Sequence, residues 1–170
     1  MERTLIILKP DAVQRGIVGE IITRFERVGL KIIGMKMVSP DRDHYYHHYE
    51  NISKMISRRG EKAFEANLGV MMQGPVIALV VEGIEAVTLS RKLVGETEPQ
   101  AAAPGTIRGD YSHISFQHAN THGLPIPNVI HASGNAQEAK EEVEFWFSES
   151  ELYDYKLAHE HYAQPRAEQK

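Results

Sequence analysis

The 170-residue chain contains no cysteine. That excludes disulfides, thiolate metal sites and a thiol nucleophile, and it suits a reducing compartment. No stretch approaches the ~20 apolar residues of a membrane span, and the N-terminal run Leu5 to Leu8 is too short for a signal peptide. A cytoplasmic location is expected and no membrane partner is. Basic excess is missing too: 19 Lys and Arg stand against 23 Asp and Glu, a net charge of −4. A nucleic-acid partner held by phosphate neutralisation is therefore not expected, although a small anion needs only a few local cations. The sequence has neither GxxxxGK[ST] nor GxGxxG. Any phosphate must then be bound by side chains rather than by a glycine-rich loop.

What is present reads as a single domain over residues 1–170 that can bury a core, with 42% hydrophobic and 25% charged residues. Thr4 to Leu8 is an apolar run stopped by Lys9-Pro10, which predicts a buried strand. Ile21, Ile22, Phe25 and Val28 recur at helical spacing, and Gly29 follows as a C-terminal cap. Lys31 to Val38 predicts a second strand. Asp41 predicts the cap of a helix through His48, and residues 51–73 read as helical with a break near Gly60. Pro75 to Val81 is the clearest buried strand. Ala86, Leu89 and Leu93 mark a helix closed by Gly95. Residues 96–128 show no periodicity and read as a long functional loop. Val129 to Ala132 is a short strand, and Asn135 with Glu138 predicts a capped helix. The tail, ending QPRAEQK, looks frayed. Strands interleaved with helices predict an α/β (α+β) domain, a ferredoxin-like four-stranded antiparallel sheet of split βαβ type covered by helices.

Several side chains carry chemistry. Lys9 ends the first strand, Arg91 sits late in a helix, and Arg108 lies in PGTIRGD, with the Thr97 hydroxyl between them in sequence. Guanidiniums and an ammonium together clamp a polyphosphate, because Arg forks pair with phosphate oxygens. Taken singly, each reads more simply as a surface cation. His131 stands at a strand-to-helix corner. Imidazole is a competent nucleophile toward phosphorus, provided a partner on its other nitrogen fixes tautomer and orientation. Glu142, two turns into the next helix, is placed to supply that partner, and Ser133 to add a second contact. The plain alternative is a buried, hydrogen-bonded histidine.

The segments TLIILKPDAVQRGIVGEII, LVGETEP, PGTIRGD and NVIHASGNAQEA followed by EEVEFWF resemble those of nucleoside diphosphate kinases. The family's N-x-x-H-[GA]-S signature is matched by Asn128, His131, Ala132 and Ser133, and the likeness runs from Thr4 to about Tyr162. It implies ping-pong transfer of a γ-phosphate from ATP or another nucleoside triphosphate to a nucleoside diphosphate. His131 would be phosphorylated, with Glu142 and Ser133 orienting it and Tyr49 nearby. Lys9, Arg91, Thr97 and Arg108 would bind phosphates, and Asn128 the sugar. The base would stack on a phenylalanine, for which Phe64 is the candidate, with Ala63 as the other register. Mg²⁺ would arrive on the nucleotide phosphates, so no metal cage in the chain is expected. A homo-oligomer, hexamer or tetramer, is also implied. The alternative is a catalytically weak nucleotide-binding or regulatory member of the same family.

The sequence departs from the family pattern in three places. Ala132 and Gly134 stand where Gly and Asp are common. Residues near 50–63 and 111–127 read as insertions, the second in a loop that in this family touches nucleotide and neighbouring subunits. Two histidine groups, His44, His47 and His48 and then His113, His118 and His122, have spacings that suit a metal but read more simply as solvated surface. His159 and His161 belong to a polar tail, and the methionines read as core filler.

Overall fold

The computed structural model describes residues 1–162. Its central strand is β1 (Glu2–Leu8). Thr4 to Leu8 are all buried, because alternate side chains enter two different cores. Ile6 and Leu8 point into one, and Leu5 and Ile7 into the other. β3 (Val76–Gly83) is buried along its whole length and pairs antiparallel with β1 from Glu2↔Gly83 to Leu8↔Ile77. β2 (Lys31–Val38) lies outside β3, and the short β4 (Ile130–Ala132) outside β1. The order is β2-β3-β1-β4 with every pairing antiparallel, as the split βαβ reading expects.

Helices cover both faces. On one, α2 (Val18–Arg27) and α6 (Ala86–Val94) bury Ile21, Phe25 and Val94 against Ile6, Leu8 and Leu79. On the other, α3 (Arg42–Tyr46), α5 (Glu61–Met71) and α9 (Ala136–Trp146) bury Tyr45, Leu68 and Trp146 against Leu5, Ile7 and Val80. Each such side chain contributes about 1.5–3 kcal/mol by leaving water. α1 (Pro10–Gln14) turns the chain at the end of β1. The expected stop at Gly29 takes a specific form. Gly29 adopts φ +84°, its N–H bonds the Glu26 carbonyl, and the Leu30 N–H reaches back to Phe25. This is a Schellman closure, which a residue with a Cβ disfavours.

Two segments differ from their sequence reading. Asp41 caps α3 as expected, accepting from the His44 N–H at 2.8 Å. The α-helix then ends at Tyr46 and widens into a π-turn, His47–Ile52, where the Ser53 N–H reaches the His48 carbonyl. The wider turn brings the adjacent pair His48 and Tyr49 into the interior, along with Ile52. After it come α4 (Met55–Arg59) and the break at Gly60. The stretch 96–128, expected to be loop, carries a 3₁₀ turn (Pro99–Ala101), α7 (Ile107–Tyr111) and α8 (Phe116–His122). Thr106 and Ser115 cap the two helices through their hydroxyls. Each piece is shorter than the window over which helical periodicity shows in a sequence. The QPRAEQK tail lies outside the described residues.

Candidate active site

β4 positions His131. Ile130 and Ala132 belong to the core beneath α2 and α6, so the period of two sends His131 to the opposite face, where α9 lies. The residue before the strand, Val129, has φ +58°, a left-handed conformation that costs a β-branched side chain. An Ile130 N–H to Asn128 carbonyl bond of 2.7 Å closes the tight turn around it. Two further bonds hold the turn: Lys9 N–H to the Val129 carbonyl at 2.9 Å, and Val129 N–H to Asp11 Oδ2 at 3.0 Å. Asp11 was not singled out in the sequence, although it follows Lys9-Pro10 directly.

His131 Nε2 lies 3.1 Å from each carboxylate oxygen of Glu142. Asn135 caps α9 by accepting from the Glu138 N–H at 2.9 Å, and two turns of helix carry Glu142 back onto the ring. Glu142 is fully buried. It also accepts from Ser133 Oγ at 2.7 Å and Ser53 Oγ at 3.2 Å. Burial alone would raise its pKa; the His131 and His48 rings and the bonds from His131 and Ser133 outweigh it and hold the carboxyl at about 2. With an ionised carboxylate on Nε2, that nitrogen carries the proton and Nδ1 keeps its lone pair. Ser133 therefore acts on Glu142 and not directly on His131.

His48 packs behind the pair. Its ring meets His131 edge-on with centroids 4.6 Å apart. Trp146 Nε1 donates to His48 Nδ1 at 3.1 Å, and burial drives the His48 pKa down to about 3. It is neutral near pH 7. Ligating atoms of His48, His131 and Glu142 converge within 4.8 Å; His131 Nε2 and the Glu142 oxygens are engaged with each other and His48 Nδ1 with Trp146, while His48 Nε2 has no hydrogen-bond partner. The metal spacing read in His44, His47 and His48 is not realised. His44 and His47 instead stack on Phe145, each at 4.3 Å, while His48 points inward. In the second group, the rings of His118 and His122 lie 4.3 Å apart on α8.

His131 opens onto a cleft of about 340 Å³. Lys9, Arg91, Arg108 and Thr97 line it, as do Tyr49 and Asn128. The sequence candidates scattered over more than a hundred residues thus share one cavity, with Glu142 and Ser133 behind its histidine. Arg108 is held by three backbone carbonyls, those of Asn128, Gly95 and Ile130, at 3.2, 3.1 and 2.6 Å. Its neighbour Gly109 allows this, since a Cβ there would collide with the Ala103 carbonyl. Burial, with Arg91 adding repulsion, lowers Arg108 to about 10. Burial and then Arg108 lower Lys9 to about 7. These cations are desolvated and repel one another, a cost that an entering polyanion relieves.

Phe64 is a correction. Its ring is 2% exposed in the core beneath α3 and α5, edge-on to Tyr46, and neither it nor Ala63 lines the cleft. That wall is instead built by Met55, Arg58, Arg59 and Asn67, all from the segment around the expected insertion. The Arg58-Arg59-Gly60 run was the available signal, a pair of cations beside a helix break.

A histidine oriented by an ionised glutamate, facing a cleft walled with buried cations, on a ferredoxin-like sheet, defines a phosphotransferase. A family model described as nucleoside diphosphate kinase matches residues 2–152, and the chain belongs to that family. It is 43% identical to the nucleoside diphosphate kinase of Borreliella burgdorferi over 92% of this chain and 93% of that one. It is 47% identical to the enzyme of Pyrococcus furiosus over 91% and 88%. Among solved structures, it resembles a transition state mimic of the Borrelia burgdorferi kinase with bound vanadate and ADP, with TM-score 0.91 and 42% identity over 95% and 96% of the two chains. A halophilic nucleoside diphosphate kinase from Halobacterium salinarum in complex with CDP gives TM-score 0.80 at 35% identity, over 96% and 99%. The activity is accordingly that of a nucleoside diphosphate kinase.

Proposed function

We propose that this chain moves a γ-phosphate between nucleotides by a ping-pong route in which His131 Nδ1 carries the phosphoryl group. The observation that carries this reading is the Nε2–Glu142 pairing, which leaves the lone pair on the other ring nitrogen. A magnesium-bound nucleoside triphosphate enters with its phosphates among Lys9, Arg91, Thr97 and Arg108. Nδ1 attacks the γ-phosphorus, the bond from phosphorus to the β,γ-bridging oxygen breaks, and the nucleoside diphosphate leaves with that electron pair. Glu142 offsets the positive charge gained by the ring. An incoming nucleoside diphosphate then attacks with a β-phosphate oxygen and frees the histidine. The cations act by holding charge spread over the phosphoryl oxygens.

The magnesium fits as part of the substrate. Among the described residues the cleft lining carries one carboxylate, Glu138, bonded to Asn135 and paired with Arg58. Phosphates and water then supply the cation's ligands. Asn128, lining the cleft with its amide donating to the Thr97 carbonyl at 3.0 Å, takes the sugar. The chain works as a homo-oligomer, hexamer or tetramer, in the cytoplasm. No helix among the described residues is long and apolar enough to cross a membrane.

Initial rates with ATP and GDP varied together test the route. Ping-pong exchange gives parallel lines in double-reciprocal plots. Lines that intersect would mean both nucleotides bind at once, and the phosphohistidine route would fall.

A further inference from the structure

We propose that Asn67 is a positioning residue for this transfer: its carboxamide oxygen holds the Lys9 ammonium in the cleft while its amide N–H is kept for a phosphate oxygen. The proposal rests on the cleft being the nucleotide site. Asn67 sits on α5, where Phe64, Leu68 and Met71 face the core and Asn67 itself lines the cleft. Lys9 Nζ donates to Asn67 Oδ1 at 3.0 Å. This bond crosses the cavity from the end of β1 to α5, and it fixes a long side chain that would otherwise sample several rotamers.

The other end of the amide supplies a second, independent observation. Asn67 Nδ2 and the Tyr49 hydroxyl are buried side by side in the cleft and face no polar partner but each other. A buried amide donor without an acceptor costs about 1–3 kcal/mol, and such groups in a folded protein call for an explanation. The amide carries two N–H hydrogens and the phenol one O–H, so their mutual contact leaves hydrogens unused beside an ammonium, in one cavity whose substrate is an oxyanion, and the missing acceptors are the phosphate's. The residue type fits the task. An amide accepts from a cation with one atom and donates to an anion with another. An aspartate of the same shape only accepts, so it would draw Lys9 toward itself and repel the phosphate. Burial has already weakened the Lys9 charge, and a neutral acceptor orients that charge without competing for it.

The test measures the Lys9 side-chain titration by NMR in the nucleotide-free protein, together with kcat and KM for ATP, in wild type, Asn67→Asp and Asn67→Ala. Asn67→Asp is expected to move the Lys9 midpoint upward, since a carboxylate at hydrogen-bond distance favours the charged form. Asn67→Ala is expected to lower kcat about tenfold, the loss of one hydrogen bond to a charged group, with a smaller change in KM. A Lys9 midpoint unmoved in Asn67→Asp, or an Asn67→Ala kcat within about twofold of wild type, the size of a neutral surface change, overturns the proposal. Wild-type protein that never carries label on His131 would overturn the cleft assignment with it. A Lys9 midpoint that still shifts in that case would locate the fault in the assignment and not in the tether.

Discussion

Glu142 keeps a full negative charge inside the protein because its partners surround it: His131, Ser133 and Ser53 all donate to its two oxygens. Glu142→Gln preserves the shape but removes the charge that orients and compensates the ring. Phosphoryl transfer should fall by at least about 10²-fold, measured as single-turnover phosphorylation of His131. Since the folded carboxyl titrates at about 2, below its ordinary value of 4.5, its contribution to stability is present above pH 4.5. It is lost as pH falls from there toward 2, and acid titration followed by circular dichroism should show that loss shrink in Glu142→Gln. Lys9 has the same sign in a higher window. Its folded pKa of about 7 lies below the ordinary 10.5. Between those values the unfolded chain binds more protons, so the Lys9 contribution to stability rises with pH across that window. Activity moves the other way: kcat/KM, which reports the free enzyme, should decline above about pH 7 as the ammonium is lost. Lys9→Arg, which stays charged, should flatten that limb even where its absolute rate is lower.

At the scale of elements, the catalytic pair depends on how α9 begins. Asn135 caps the helix, and removing the cap by Asn135→Ala should cost about 1 kcal/mol. A thermal melt would show it as a lower Tm, with His131 phosphorylation slowed because Glu142 rides on the same helix. Gly109→Ala should do more, since the new Cβ meets the Ala103 carbonyl. α7 must shift, and with it the Arg108 guanidinium, so both Tm and the affinity for ATP should drop. Elements whose cause is local were legible in the sequence: the apolar β1 and β3, the Gly29 stop, and the Asp41 and Asn135 caps. The π-turn at His47–Ile52 was not, because its extra residue is repaid by tertiary burial of His48 and Tyr49 and not by propensity. Nor were α7 and α8, which are too short to display a period. At the site, His131, Glu142 and the cations could be named from motifs, whereas Asp11, Ser53, His48 and Asn67 act through contacts between positions far apart in the chain. Phe64 was named because the resemblance calls for a phenylalanine; its place on α5 puts it in the core with Leu68 and Met71 and away from the cleft.

At the scale of the whole molecule, the sheet has one edge at β2 and the other at β4. β1 and β3 are satisfied on both edges, while β2 ends the sheet and exposes Met35 and Met37, each 59% accessible. The Tyr153 N–H reaches the Ile33 carbonyl along that edge, but the exposed apolar side chains beside it still invite a partner. Sedimentation should therefore find a hexamer or tetramer and not a 19.2 kDa monomer, and Met35→Glu with Met37→Glu should shift the distribution toward smaller species. Phosphorylation of His131 is tested most directly by its label. The protein is incubated with γ-labelled ATP and Mg²⁺ without acceptor, and the label's chemistry is examined. The label is expected to be acid-labile and base-stable, to be absent from His131→Ala, and to pass to GTP when GDP is added. Absence of label on a nucleotide-binding wild type, or label that survives His131→Ala, would contradict a phosphohistidine at His131.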